Sequence, residues 1–142
     1  MTGWLCRLVD AVRHHARARV WRPTEALGRR GEDLAHRFLE NLGYVIVARN
    51  WRGGGGEIDL VAWDREQVVC VEVKSRTSDE FASPERNVDR AKRRALLRAG
   101  LAYVHRASIE TARLRFDVVS IVLDGGPRIS HHKDAFRAGR TL

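Results

Sequence analysis

The stretch Gly56-Glu57-Ile58-Asp59-Leu60-Val61-Ala62, followed by Val71-Glu72-Val73-Lys74-Ser75-Arg76, decides how this chain is read. Both segments are rich in β-branched and aliphatic residues, and in a strand alternate side chains point to opposite faces. Alternation places Glu57 and Asp59 on one face of the first segment, with Ile58 and Leu60 on the other. In the second segment Glu72 and Lys74 share a face, and Val71 and Val73 share the opposite one. If the two strands pair, carboxylates and an ammonium converge beside an apolar layer. Charges inside apolar strands are costly to desolvate, so their grouping calls for a partner. A divalent cation with a reacting phosphate would be one.

Working outward, Tyr44–Trp51 reads as a strand and the glycine run Gly53–Gly56 as the turn into the strand Glu57–Trp63. Asp64-Arg65-Glu66 is a short polar link to the strand Gln67–Ser75. Links this short predict an antiparallel meander. Upstream, Thr24 is placed to cap a helix running to about Leu42 and ended by Gly43, with an apolar stripe of Leu27, Leu34, Ala35, Phe38, Leu39 and Leu42. Downstream, Arg76–Arg86 reads as a loop. It is followed by a long helix, Asn87–Ala107, with Val88, Ala91, Ala95, Leu96, Ala99, Ala102 and Tyr103 toward the core. Leu114–Leu123 is an apolar strand suited to burial within a sheet. Its connection back through the long helix is a crossover, which predicts parallel pairing with the third strand. A brief edge strand is expected near Arg128–Ser130, and the pattern assigns no element from His131 onward. The expected product is an α/β fold: a mixed sheet, antiparallel meander plus one parallel strand, flanked by helices.

The chain has 142 residues, the size of one domain, and 44% of them are hydrophobic, enough for a real core. Before that domain, which is taken as residues 24–142, residues 1–23 form a basic extension with an amphipathic stretch over Leu5–Val20. Lys and Arg number 26 against 18 Asp and Glu, a formal net charge of +8, which favours a polyanionic partner. Cys6 and Cys70 match no zinc spacing, and Cys70 inside Val68-Val69-Cys70-Val71 reads as a buried reduced thiol. A cytoplasmic setting is therefore expected. No stretch is apolar enough for stable membrane insertion. His14, His15, His131 and His132 form adjacent pairs with no further ligand at zinc spacing, and are expected at the surface.

The spacing of Asp59 with Glu72-Val73-Lys74 resembles the PD-(D/E)XK nuclease signature. With Gly31-Glu32, Gly56-Glu57-Ile58-Asp59-Leu60-Val61-Ala62, Val71-Glu72-Val73-Lys74-Ser75-Arg76 and Arg115-Phe116-Asp117-Val118-Val119 in that order, roughly Thr24 to Leu123 is similar to the YraN-type family of bacterial proteins. That resemblance implies a restriction-endonuclease-like fold, whose core layout archaeal Holliday-junction resolvases share. It implies that Asp59 and Glu72 hold Mg²⁺ or Mn²⁺, that the carbonyl of Val73 adds a ligand, and that Glu32 joins directly or through water. Lys74 is implied beside the attacking water. Arg76 and Lys92 are candidate contacts to nucleic-acid phosphates, and each fits a solvated charge equally well. The implied partner is nucleic acid, above all branched or structured DNA, and resolvase-like relatives suggest a homodimer. The family pattern has glycine where this chain has Ala82 after Phe81.

Each residue also has a plainer reading. Taken alone, Glu72 and Lys74 fit a solvated cross-strand face better than a site. Glu32 is an ordinary carboxylate near a helix start. Glu57 fits a surface position at the glycine turn, and Asp117 a structural partner for a basic residue. Three function classes follow: a metal-dependent endonuclease, a nucleic-acid-binding module that keeps the fold without turnover, or an interaction protein whose basic surface serves a protein or membrane partner. An acidic pocket repels phosphate unless a cation is present, which weighs toward the enzyme.

Overall fold

The computed structural model describes residues 23–77 and 90–137. Residues 1–22, most of the segment between the third strand and the long helix, and the last five residues lie outside that range. So do the expectations for Leu5–Val20, His14, His15, Ala82, Asn87 and Val88. Helix α1 spans Pro23–Asn41 and is followed by β1 (Val45–Gly53), β2 (Gly56–Asp64) and β3 (Gln67–Arg76). Helix α2 (Arg90–Arg106) and a 3₁₀ turn (Thr111–Arg113) lead into β4 (Leu114–Val122) and β5 (Arg128–Phe136).

The five strands form one sheet in the order β1-β2-β3-β4-β5. β1, β2 and β3 pair antiparallel through short turns, as their links require, and β4 pairs parallel to β3 after the crossover through α2. β5 returns antiparallel along β4. Among the described residues the result is an α/β fold with a mixed sheet and one helix on each face. On the α1 face, Ala35 and Leu39 pack with Ile46, Leu60, Ala62, Val69, Val71, Val119 and Ile121. On the α2 face, Leu96, Leu97, Ala99 and Val104 pack with Val61, Val68, Cys70, Phe116 and Val118. Cys70 is a buried free thiol, and burial, then the charge of Asp117, pushes its pKa up to about 12.

Four expectations about the secondary structure and packing need correction. α1 ends at Asn41, closed by a left-handed Gly43 (φ 95°) and a 3.0 Å bond from the Tyr44 amide to the Leu39 carbonyl. Leu42 therefore lies past the helix and is 55% exposed rather than part of its stripe. In α2, Ala91 is exposed, while Leu97, Gly100 and Val104 turn inward. Gly100 makes that orientation feasible, because a Cβ there would lie 2.6 Å from the Phe116 ring. β5 is nine residues long, not a brief edge. Its inward side is built partly from polar residues, so hydrophobic alternation conceals it.

The fourth correction concerns the opening segment. Ile58 and Leu60 do not share a face: Ile58 lies in the α2-side core and Leu60 in the α1-side core. The register Arg49↔Leu60 and Trp51↔Ile58 sets Asn50 opposite Asp59, and Asn50 has φ 49°. β1 changes faces at the same level, since Trp51 packs on the α2 side while Arg49 pairs with Glu32 and Asp33 of α1. Asp59 thus sits where the β1–β2 ribbon departs from regular alternation, as irregularities in strands beside functional sites do.

Candidate active site

Asp59 and Glu72 come from neighbouring strands, and their convergence follows from one backbone bond. The Val73 amide, between Glu72 and Lys74, donates to Asp59 Oδ2 at 2.8 Å. Asp59 has its pKa raised well above the ordinary 3.8, by burial first and then by the charge of Glu72, with Glu32 adding to it; the Val73 bond opposes the rise. Glu72 is only 3% exposed, and its Oε1 meets Lys74 Nζ at 3.4 Å. Lys92 reaches the same oxygen from the first turn of α2. Burial and the adjacent Lys92 lower the pKa of Lys74. Burial also disfavours the charged form of Lys92, but its bond to Glu72 and the charge of that carboxylate outweigh this and raise its pKa. Two carboxylates and two ammonium groups therefore share one small site.

α1 reaches the site because Gly31 has no side chain. A Cβ at Gly31 would lie 1.6 Å from Ser75 Oγ and 2.8 Å from Ser75 Cβ, so only glycine lets the helix approach β3 here. Next to it, Glu32 Oε2 accepts from Arg49 at 3.4 Å and from Asn50 at 3.3 Å. Glu32 is therefore held by β1 and acts on Asp59 through its charge. Arg76 ends β3, its carbonyl accepting from the Leu123 amide at 2.9 Å. Glu57 is outside the cluster, in a cross-strand pair with Arg52 at 3.4 Å near the turn.

Sequence reasoning missed a second polar cluster, at the β2–β3 turn. All five N–H donors of Arg115 are committed. Its Nε and one Nη2 donor hold Asp117 at 2.9 and 3.0 Å, and the other Nη2 donor holds the Tyr44 hydroxyl at 2.7 Å. Its Nη1 donates to Asp64 at 2.8 Å and Gln67 at 2.9 Å. Asp117, fully buried, also meets His131 Nε2 at 2.7 Å and accepts from the Asp134 amide at 3.0 Å. The reading of Asp117 as a structural partner fits this arrangement. His131 does not: its side chain is 8% exposed, edge-on to Phe38 and Tyr44, not at the surface. An adjacent cleft of about 860 Å³ is lined by Tyr44, Asp64, Arg115, His131 and Lys133. With its guanidinium saturated, Arg115 serves the fold there.

Residues 31–121 match the family described as "Uncharacterised protein family UPF0102", a span that takes in Gly31, Glu32, Asp59, Glu72, Lys74 and Asp117. The chain belongs to this family. It is 45% identical to a UPF0102 protein of Solibacter usitatus over 138 residues, 96% of this chain and 100% of the relative. A UPF0102 protein of Rhodococcus opacus is 41% identical over 113 residues, 78% of this chain and 96% of the relative. One from Bacteroides thetaiotaomicron is 42% identical over 111 residues, again 78% of this chain and 91% of the relative. The YraN-type resemblance read from the motifs is this family.

The site can be tested for its fit to a hard divalent cation. Among the described residues no three His, Cys, Asp or Glu side chains gather as a ready cage. Mg²⁺ asks for less: it is held by one or two carboxylates and completes its shell with water and substrate phosphate. Asp59 and Glu72 would supply those carboxylates, and their repulsion is what a cation would relieve. The donor set fits.

Proposed function

We propose that this UPF0102 protein is a metal-dependent endonuclease with a restriction-endonuclease-like fold, cutting phosphodiester bonds in branched or structured DNA. The observation that carries the reading is the meeting of Asp59 and Glu72 across β2 and β3, locked by the Val73 amide, with Lys74 on the Glu72 carboxylate. Asp59, Glu72 and the carbonyl of Val73 would hold Mg²⁺ or Mn²⁺, with Glu32 acting through water. Once bound, the cation supplies Lewis-acid polarisation of the phosphoryl oxygen and a more acidic bound water. The chain's own residues do the rest. Lys74 orients the attacking water and offsets charge that builds on the phosphoryl oxygens. Arg76 and Lys92 would meet flanking phosphates. The surplus of basic residues steers the polyanion in. A cytoplasmic homodimer acting on a two-fold junction is the assembly this reading favours. Among the described residues no helix is long and apolar enough to cross a membrane.

The test is cleavage of junction, flap and single-stranded substrates in Mg²⁺ or Mn²⁺ by the wild type, Asp59→Ala and Glu72→Ala. Metal-dependent cutting that both substitutions abolish is expected. DNA binding without cutting by any of the three would leave the binding-module reading in its place.

A further inference from the structure

Glu72 Oε1 carries two ammonium groups at once, Lys74 from its own strand and Lys92 from α2. The two lysines are not equivalent. Lys74 is 22% exposed and fixed on β3, whereas Lys92 is 45% exposed, two residues into α2, on a flexible four-carbon stem. The two lysines offset the Asp59 and Glu72 carboxylates without a metal. A divalent cation held by the Glu72 carboxylate would have to compete with Lys92 for it. Resting on the proposed metal site, we infer that Lys92 is a built-in counter-ion that the cation displaces. Released from Glu72, Lys92 turns to the solvent side, where an incoming phosphate stands. The exchange makes cation and nucleic acid bind cooperatively: the metal frees a phosphate contact, and a phosphate holding Lys92 clears the metal's ligand. Such coupling is reciprocal, each ligand strengthening the other by the same factor.

Titration calorimetry with Mg²⁺ alone, on the full chain, comes first. Lys92→Met should bind Mg²⁺ about fivefold or more tightly than wild type, the lower end of ordinary coupling. Lys92→Arg, which keeps the charge, should stay near wild type. The second readout is the salt dependence of binding to a fluorescent DNA duplex, by stopped-flow anisotropy before turnover. With Mg²⁺, the log–log slope of wild type should exceed that of Lys92→Met by about one released counterion. Without Mg²⁺ the two slopes should coincide. If wild type binds Mg²⁺ and Lys92→Met binds it equally or more weakly, the exchange is wrong while the metal site stands. If wild type binds no Mg²⁺, the metal site fails and the exchange with it.

Discussion

The Val73 amide donates to Asp59 Oδ2 at 2.8 Å, so the backbone between Glu72 and Lys74 fixes the carboxylate of the neighbouring strand. Sequence spacing alone does not show this, because Ile58 and Leu60 on either side of Asp59 pack on opposite faces of the sheet. The bond holds Asp59 beside Glu72 despite the repulsion that raises its pKa. Function and stability are therefore opposed at this residue.

Asp59→Asn keeps an oxygen acceptor for Val73 and removes the charge. A carboxyl whose folded pKa is raised contributes stability below its ordinary 3.8, and loses it as pH rises through the folded value. At neutral pH the metal-free wild type carries that deficit. Asp59→Asn should raise metal-free stability by about 1 kcal/mol, within the range of single stabilising changes, and should lose any rise in melting temperature caused by Mg²⁺. Calorimetric melts with and without Mg²⁺ check both. A less stable Asp59→Asn would mean the carboxylate is not under strain.

Gly31→Ala should cost about 1–3 kcal/mol, as overpacking does, because its methyl would meet Ser75. Ser75→Gly removes both clashing atoms. The double variant should be more stable than the sum of the single losses allows, with a coupling of about 0.5–3 kcal/mol. Urea melts of the four proteins measure it. Strict additivity would deny that the α1–β3 approach depends on this contact.

Asp117 is the test of the second cluster. Burial alone would raise its pKa, but His131, Arg115 and the Asp134 amide outweigh burial and lower it. A carboxylate with a depressed folded pKa contributes stability above its ordinary 3.8, and that contribution is lost as pH falls through the folded value. Asp117→Ala should cost about 3–5 kcal/mol at pH 7, the penalty for breaking a buried pair. Asp117→Asn should flatten the fall in stability below about pH 4, the ordinary aspartate value. Denaturant midpoints across pH 3–7 (about the range in which carboxylates titrate) test this. An unchanged acid limb would show that the network carries no linked proton.

Much of the sheet was legible because β1, β2 and β3 are joined by turns too short for anything but a meander, and Leu114–Val122 is apolar enough to be central. β5 was not, because its inward side includes His131, whose environment is set by Asp117, Phe38 and Tyr44 from elsewhere in the chain. For the same reason His131 looked like a surface histidine. Asp59, Glu72 and Lys74 could be read from motif spacing, and the structure brings them together. The contact of Lys92 with Glu72 could not, since nothing local to an arginine-rich helix says which cation faces a strand. The face change between Ile58 and Leu60 was hidden too, as was the one beside it in β1, where Asn50 takes a left-handed conformation that asparagine tolerates but does not announce.

The most direct measurement is Mg²⁺-dependent cleavage of a four-way DNA junction by purified wild type beside Glu72→Ala, with metal binding read by calorimetry on the same samples. Wild type is expected to bind Mg²⁺ and cut the junction, and Glu72→Ala to do neither. Equal Mg²⁺ binding by both proteins, with no cutting by either, would contradict the endonuclease proposal.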